Sequence, residues 1–252
     1  MFKIIMYVIS AVICIVLAVA PIVYIKRKFG GSLKRVKDGV AACLIFSSLL
    51  NAVLYTVIAV GLSLEEKIDA NGFTYAVTNA AVLTLCASVG RIIFVKAVIK
   101  KDNGTGDALL FGAGYSSCLV VVSYALSAVA NAVISIMLYV NENSQIISVF
   151  NSNVMEISNT NLYTVFMGIV QMLLLFVFEG AISVVFYKAL LSEYNKKWIF
   201  AAILVHLIGN AAIRYDGFSY TISMVALLVI TIIAVGIAYS LFPQKNNKKL
   251  GN

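Results

Sequence analysis

The sequence predicts an all-α fold, a polytopic bundle of about seven transmembrane helices. Of its 252 residues, 62% are hydrophobic and only 12% are charged, and the mean hydropathy is +0.98. These values lie far outside the composition of soluble globular domains. A run of about 20 apolar residues crosses a bilayer as a helix, and seven such runs occur here. We expect residues 1–252 to form a single transmembrane domain.

The predicted spans follow one another with short loops. The sixth holds only 16 residues between Lys197 and Arg214, so we expect it to pack inside the bundle. The fourth and fifth exceed the length of a span and are expected to tilt, kink or emerge from the membrane. Small residues in the fourth span indicate close helix packing. The spans cover residues 4–25, 40–60, 75–95, 108–140, 162–191, 198–213 and 218–242.

The basic residues predict an external amino terminus and a cytoplasmic carboxyl terminus. In that orientation only Lys3, Lys67 and Arg214 lie outside, and the other 16 of 19 Lys and Arg residues lie near the cytoplasmic side. Such a bias is the positive-inside pattern. The net charge of +8 therefore indicates topology and contact with the lipid bilayer, whereas no basic, aromatic-rich patch suggests nucleic acid. We expect a multi-pass protein of the bacterial plasma membrane.

Few ionisable groups interrupt the spans, and those few lie at similar depth. Arg91, Glu179 and the only histidine, His206, are buried in apolar sequence. With Tyr115, they lie about 12 to 16 Å from the cytoplasmic ends of four spans at the rise of an α-helix. Asn210 follows His206 by one turn. Because ionisable groups in lipid are costly, we predict a cluster. It forms either an ion-paired network that holds the bundle together or a site for metal-assisted hydrolysis or proton relay.

Three segments on separate spans carry a family resemblance. They read C-A-S-V-G-R at 86–91, F-G-A-G-Y at 111–115 and H-L-I-G-N at 206–210. They resemble the motifs E-E-x-x-x-R, F-x-x-x-H and H-x-x-x-N of the CAAX-protease and bacteriocin-processing superfamily of intramembrane metalloproteases, and are most similar to its YhfC branch. The segment F-E-G…F-Y at 178–187 is similar to the E-R…F-H segment of that branch. The resemblance implies peptide-bond cleavage inside the membrane by a glutamate-activated water.

The chain departs from those motifs at the residues that carry the chemistry. Cys86 and Ala87 stand where the family has two glutamates, and Tyr115 stands where it has a histidine. A hydrolytic zinc site usually has three protein ligands and a water. Only His206 remains among the matched motifs, with Glu179 as a substitute ligand. The residues that keep the family's types are Arg91, Phe111, His206 and Asn210.

We therefore expect a degenerate member of the family, a pseudoenzyme with a binding or regulatory role toward a membrane peptide or a partner membrane protein. His206, Asn210 and Glu179 would form the remnant of the catalytic site. No cofactor is expected; if the site still functioned, His206 and Glu179 would hold zinc. The surrounding cluster would comprise Arg91, Phe111 and Tyr115.

Two other classes of protein are also compatible with the sequence. One is a transporter, or the membrane subunit of an ATP-driven exporter, in which Glu179 and His206 relay protons or ions. The other is a bacteriocin-immunity or sensory protein whose external segment, residues 141–161, meets a peptide.

Overall fold

The chain forms an all-helical bundle in a computed structural model that describes residues 2–61, 71–101, 104–140, 157, 161–191, 196–215 and 217–242. Seven helices within these ranges are long and apolar enough to cross a membrane. This confirms the predicted fold class and number of spans. No strand occurs in the described residues. Of the predicted external segment 141–161, only Ile157 and Asn161 are described.

We number the helices α1 to α7 in chain order. Helices α2, α3 and α4 contain stretches with the wider i→i+5 bonding of a π-helix, and the overlong fourth span has its stretch near the middle. The bounds are Phe2–Phe29 for α1; 34–61 for α2, with π-helical Cys43–Leu50 and Val57–Gly61; Gly72–Ile99 for α3, with π-helical Phe94–Ile99; 105–140 for α4, with π-helical Val121–Ala125; Leu162–Leu191 for α5; Lys197–Arg214 for α6; and Tyr220–Ser240 for α7.

N-cap side chains stabilise the first turns of α3 and α7. The Asn71 carboxamide oxygen accepts from the backbone N–H of Phe73 at 2.9 Å and of Thr74 at 3.3 Å. Ser219 accepts from the backbone N–H of Ile222 at 3.4 Å. Each bond satisfies a backbone donor that the first helical turn leaves unpaired, so α3 and α7 begin where the sequence offers a cap.

Two glycines allow α2 and α4 to cross closely. A Cβ at Gly39 would lie 2.2 Å from the carbonyl oxygen of Phe111, and one at Gly114 would lie 2.3 Å from that of Val36. Any larger residue would force the two backbones apart. The prediction that small residues of the fourth span mark close helix contacts is confirmed.

An ionic contact ties the same two helices together where α2 begins. Arg35 on α2 donates from Nη1 to Asp38 at 2.8 Å and from Nε to Asp107 on α4 at 3.0 Å. Asp107 also accepts from the backbone N–H of Ser32 at 2.7 Å. We call Arg35, Asp38 and Asp107 the end clasp. It lies at the basic end of the bundle, where α1, α3, α5 and α7 finish.

Helix α6 does not lie inside the bundle as predicted. Its inner face buries His206 and Asn210, whereas Phe200 and Leu204 on the opposite face are 73% and 57% exposed. The prediction was wrong because the helix extends to 18 residues, or about 27 Å at the helical rise. That length nearly matches the hydrocarbon core, so α6 can cross at the bundle's edge with one face toward lipid.

Candidate functional site

The guanidinium of Arg91 on α3 is fully buried and forms an ion pair with α5. Its Nη2 donates to carboxylate oxygen Oε2 of Glu179, and its Nε donates to the hydroxyl of Ser183 at 3.0 Å. Ser183 lies one turn after Glu179, so both side chains face α3. The guanidinium thus bonds to two acceptors on a single helix.

His206 reaches the same carboxylate from α6. Its Nε2 lies 2.8 Å from Oε1 of Glu179, and its ring packs against Phe178 with centroids 5.7 Å apart. Each oxygen of Glu179 therefore has its own nitrogen partner, Arg91 on one side and His206 on the other. This carboxylate joins three helices.

Tyr115 on α4 meets Arg91 through its ring face. The guanidinium carbon lies 3.9 Å from the ring centroid, which is a cation–π contact. The phenol hydroxyl instead shares a hydrogen bond with Ser47 on α2. Sequence depth placed Tyr115 level with Arg91 but gave no indication of Ser47, because serines are frequent among small residues in apolar spans.

Asn210 extends these contacts toward the opposite end of the bundle. Its Nδ2 donates to the backbone oxygen of His206 at 2.9 Å, and its Oδ1 accepts from Nη1 of Arg214 at 3.0 Å. Arg214 also donates from Nε to Asn79 on α3 at 2.7 Å. Helices α3 and α6 are therefore bonded directly through Asn79 and Arg214 and indirectly through Glu179 on α5. We call the connected residues the central network: Ser47, Asn79, Arg91, Tyr115, Glu179, Ser183, His206, Asn210 and Arg214.

Phe111 lies apart from these polar contacts. Its side chain is fully buried in the apolar core, and its ring faces Tyr187 with centroids 6.0 Å apart. Of the predicted site residues, the structure thus brings Arg91, Tyr115, Glu179 and His206 together, with Asn210 attached to them, and leaves Phe111 to packing between α4 and α5.

Four buried polar atoms near the network lack a hydrogen-bond partner among the described residues. They are Nη1 of Arg91, Nδ1 of His206, Oγ of Ser88 and Oγ1 of Thr84. The last two share a face of α3 with Arg91. Helices α3 and α6 pack against each other and are joined by the Asn79–Arg214 bond. Buried polar atoms without a hydrogen-bond partner among the described residues therefore lie on both α3 and α6.

The residues present do not fit a zinc ion. Across the described part of the chain, no group of three or more His, Cys, Asp and Glu residues could hold a metal. At the centre, the histidine and the carboxylate bond to each other, and Arg91 occupies the carboxylate's second oxygen. The positively charged guanidinium of Arg91, which is bonded to the same carboxylate, would also repel a bound cation.

A separate cleft of about 320 Å³ lies among α1, α4, α5 and α7, away from the basic end. Hydroxyl and amide side chains line much of it, and none of its lining residues is charged. Ser123, Ser127 and Asn131 recur at four-residue intervals along α4 and so form a polar stripe. We call this the polar cleft. The other polar lining residues include Ser10, Thr164 and Gln171.

Comparison with known proteins assigns the chain to a family. The model of the family described as YhfC intramembrane metalloprotease matches residues 13–234. The uncharacterized membrane protein YhfC of Bacillus subtilis (strain 168) is 23% identical over 121 residues, which are 48% of this chain and 47% of that protein. The matched region thus spans about half the length of that relative.

No solved structure is significantly similar to this chain. The family match, however, covers every residue of the central network and extends from α1 to α7. The chain is a multi-pass membrane protein that belongs to the YhfC intramembrane metalloprotease family.

Proposed function

We propose that this chain is a catalytically degenerate member of its family, in which the intramembrane site has lost zinc-dependent proteolysis and the protein binds a membrane peptide or partner instead. The observation that carries this proposal is that both carboxylate oxygens of Glu179 are bonded to other side chains. Its two oxygens contact Arg91 and His206, so the carboxylate and the imidazole at the site are already bonded to partners inside the protein.

The residues at the motif positions support the loss of chemistry. Water activation needs a base that can take a proton, and Cys86, Ala87 and Tyr115 stand where the resemblance places two glutamates and a histidine. The first two are each only 1% exposed, and the hydroxyl of Tyr115 is bonded to Ser47. None supplies a carboxylate base. The central network then acts by positioning, since it fixes α3, α5 and α6 around one ion pair.

The polar cleft supports a binding role. Uncharged donors and acceptors suit backbone amides and neutral polar side chains, and about 320 Å³ falls in the range of ligand pockets. From Tyr7 to Cys14, its wall on α1 rises about 10 Å, the length of about three residues of extended chain. We infer that a short, uncharged, extended segment of a membrane peptide or partner binds there.

A restoration experiment tests the loss of chemistry. We expect the combined substitutions Cys86→Glu, Ala87→Glu and Tyr115→His to raise the zinc content of detergent-purified protein above that of the wild type. Adding His206→Ala to this variant should remove the gained zinc. If the folded restored variant binds no more zinc than the wild type, these three positions do not explain the loss and the proposal fails.

Cross-linking tests the binding role. A benzophenone amino acid placed at position 127 in the polar cleft should form an adduct with a polypeptide in native membranes. The same group at position 129, where Val129 is 50% exposed on α4, is the matched lipid-facing control. Equal adducts at both positions, or none at position 127, would contradict binding in the cleft.

A further inference from the structure

An apolar groove of about 280 Å³ lies on the membrane-facing side of α5, bordered by α1, α4 and α7. Its floor consists of small residues, including Ala113, Gly180 and Ala181, and its rim carries Ile25 and Tyr239. The hydroxyl of Ser116, which also lines it, donates to the backbone oxygen of Gly112 at 3.0 Å. The groove therefore presents almost entirely hydrocarbon, in contrast to the polar cleft.

The groove runs toward the basic end of the bundle. Its lining on α5 extends from Phe176 to Val184, about 12 Å at the helical rise. On α1, Ile25 is followed directly by Lys26, Arg27 and Lys28, all of which are exposed. The apolar groove thus ends beside three cationic side chains.

Among the described residues, the nearby acidic side chains do not neutralise that cationic segment. Asp38 and Asp107 at this end are buried and bonded to Arg35. Lys28 donates to the hydroxyl of Tyr24 at 2.8 Å, which holds its charge next to the groove's rim without neutralising it. An anionic group at the membrane surface is the complementary partner.

The volume favours an acyl chain over a transmembrane helix as occupant. A helix about 10 Å wide needs roughly 900 Å³ over a length of 12 Å, about three times what the groove holds. A flexible acyl chain is thinner and is available at this depth in any bilayer. We propose that the groove binds one acyl chain of an anionic phospholipid, with its phosphate at the cationic end of α1 formed by Lys26, Arg27 and Lys28. This inference is independent of the proposed function.

Native mass spectrometry of protein released from nanodiscs tests the site. The nanodiscs contain phosphatidylglycerol and phosphatidylcholine with identical acyl chains in equal amounts. The wild type should retain phosphatidylglycerol preferentially. The combined Lys26→Gln, Arg27→Gln and Lys28→Gln variant should lose that preference, by about fivefold for each charge removed. These residues are exposed, so the fold should tolerate the changes.

A second variant separates the groove from the charges. Ala181→Phe fills the floor and should reduce retention of both lipids, whereas Ala130→Phe on the exposed surface of α4 should not. Unchanged lipid retention in Ala181→Phe, equal retention of the two lipids by the wild type, or a polypeptide retained in place of lipid would each overturn the proposal.

Discussion

The central network and the end clasp each contain a guanidinium–carboxylate ion pair, but they differ in which partner makes two contacts. At the centre, the single carboxylate of Glu179 contacts two nitrogen groups, on Arg91 and His206. In the end clasp, the single guanidinium of Arg35 contacts two carboxylates. The first joins three helices and the second joins two.

The two clusters differ in their depth within the bundle, so removing a charge should not cost the same at both. The end clasp lies at the start of α2 and α4, near the end of the bundle, and Arg35 keeps one carboxylate partner if it loses the other. The Arg91–Glu179 pair of the central network lies about 12 to 18 Å from the basic ends of α3 and α5 at the helical rise, where water and lipid headgroups cannot solvate a group that loses its partner. Removing one charge should therefore cost more at the centre, because the remaining charge stays buried and uncompensated.

The largest effect is expected for Glu179→Gln. This substitution leaves the fully buried Arg91 guanidinium without its counter-charge, which should lower the free energy of unfolding by about 3–5 kcal/mol. Unfolding in mixed micelles, followed by circular dichroism, measures the change.

Replacing both partners provides the matched control. The double variant Arg91→Met and Glu179→Leu removes both charges and should be much more stable than Glu179→Gln alone. If Glu179→Gln unfolds with wild-type stability, the ion pair does not hold α3 to α5 and the comparison with the end clasp fails.

A smaller effect is expected for Asp107→Asn in the end clasp. Arg35 keeps Asp38 at 2.8 Å, so the cost is one charge-assisted hydrogen bond, about 2 kcal/mol. The same unfolding measurement applies, with the exposed Lys37 replaced by Gln as the control for a surface charge. A loss as large as that of Glu179→Gln would show that depth does not distinguish the clusters.

The smallest effect is expected at Tyr115. Tyr115→Phe keeps the ring over Arg91 and loses only the bond to Ser47, at a cost of about 1 kcal/mol. Tyr115→Leu should cost more, because the cation–π contact is lost as well. Equal stability of these two variants would indicate that the ring contributes nothing to holding the guanidinium.

The sequence predicted the members of the central network better than their contacts. Arg91, Glu179 and His206 stood out because charged groups are rare in apolar spans and need partners. Depth along each helix follows from residue number alone. Ser47 and Ser183 were missed because a hydroxyl side chain in a span indicates nothing about which neighbour it faces.

The sequence also did not determine how each helix is rotated about its own axis, and so which neighbours its faces contact. The polar cleft depends on the stripe of Ser123, Ser127 and Asn131 facing α1 and α5, and no periodicity within α4 alone specifies its neighbours. The edge position of α6 was mispredicted because span length was taken to determine burial. Exposure of Phe200 shows that a short helix can still face lipid.

The zinc content of the wild-type protein tests the central claim most directly. Protein purified in detergent after exposure to zinc, then dialysed and analysed by elemental mass spectrometry, is compared with His206→Ala prepared in parallel. We predict the same background level of zinc in both, because His206 and Glu179 bond to each other and Glu179 also bonds to Arg91. Stoichiometric zinc in the wild type that disappears in His206→Ala would contradict the account.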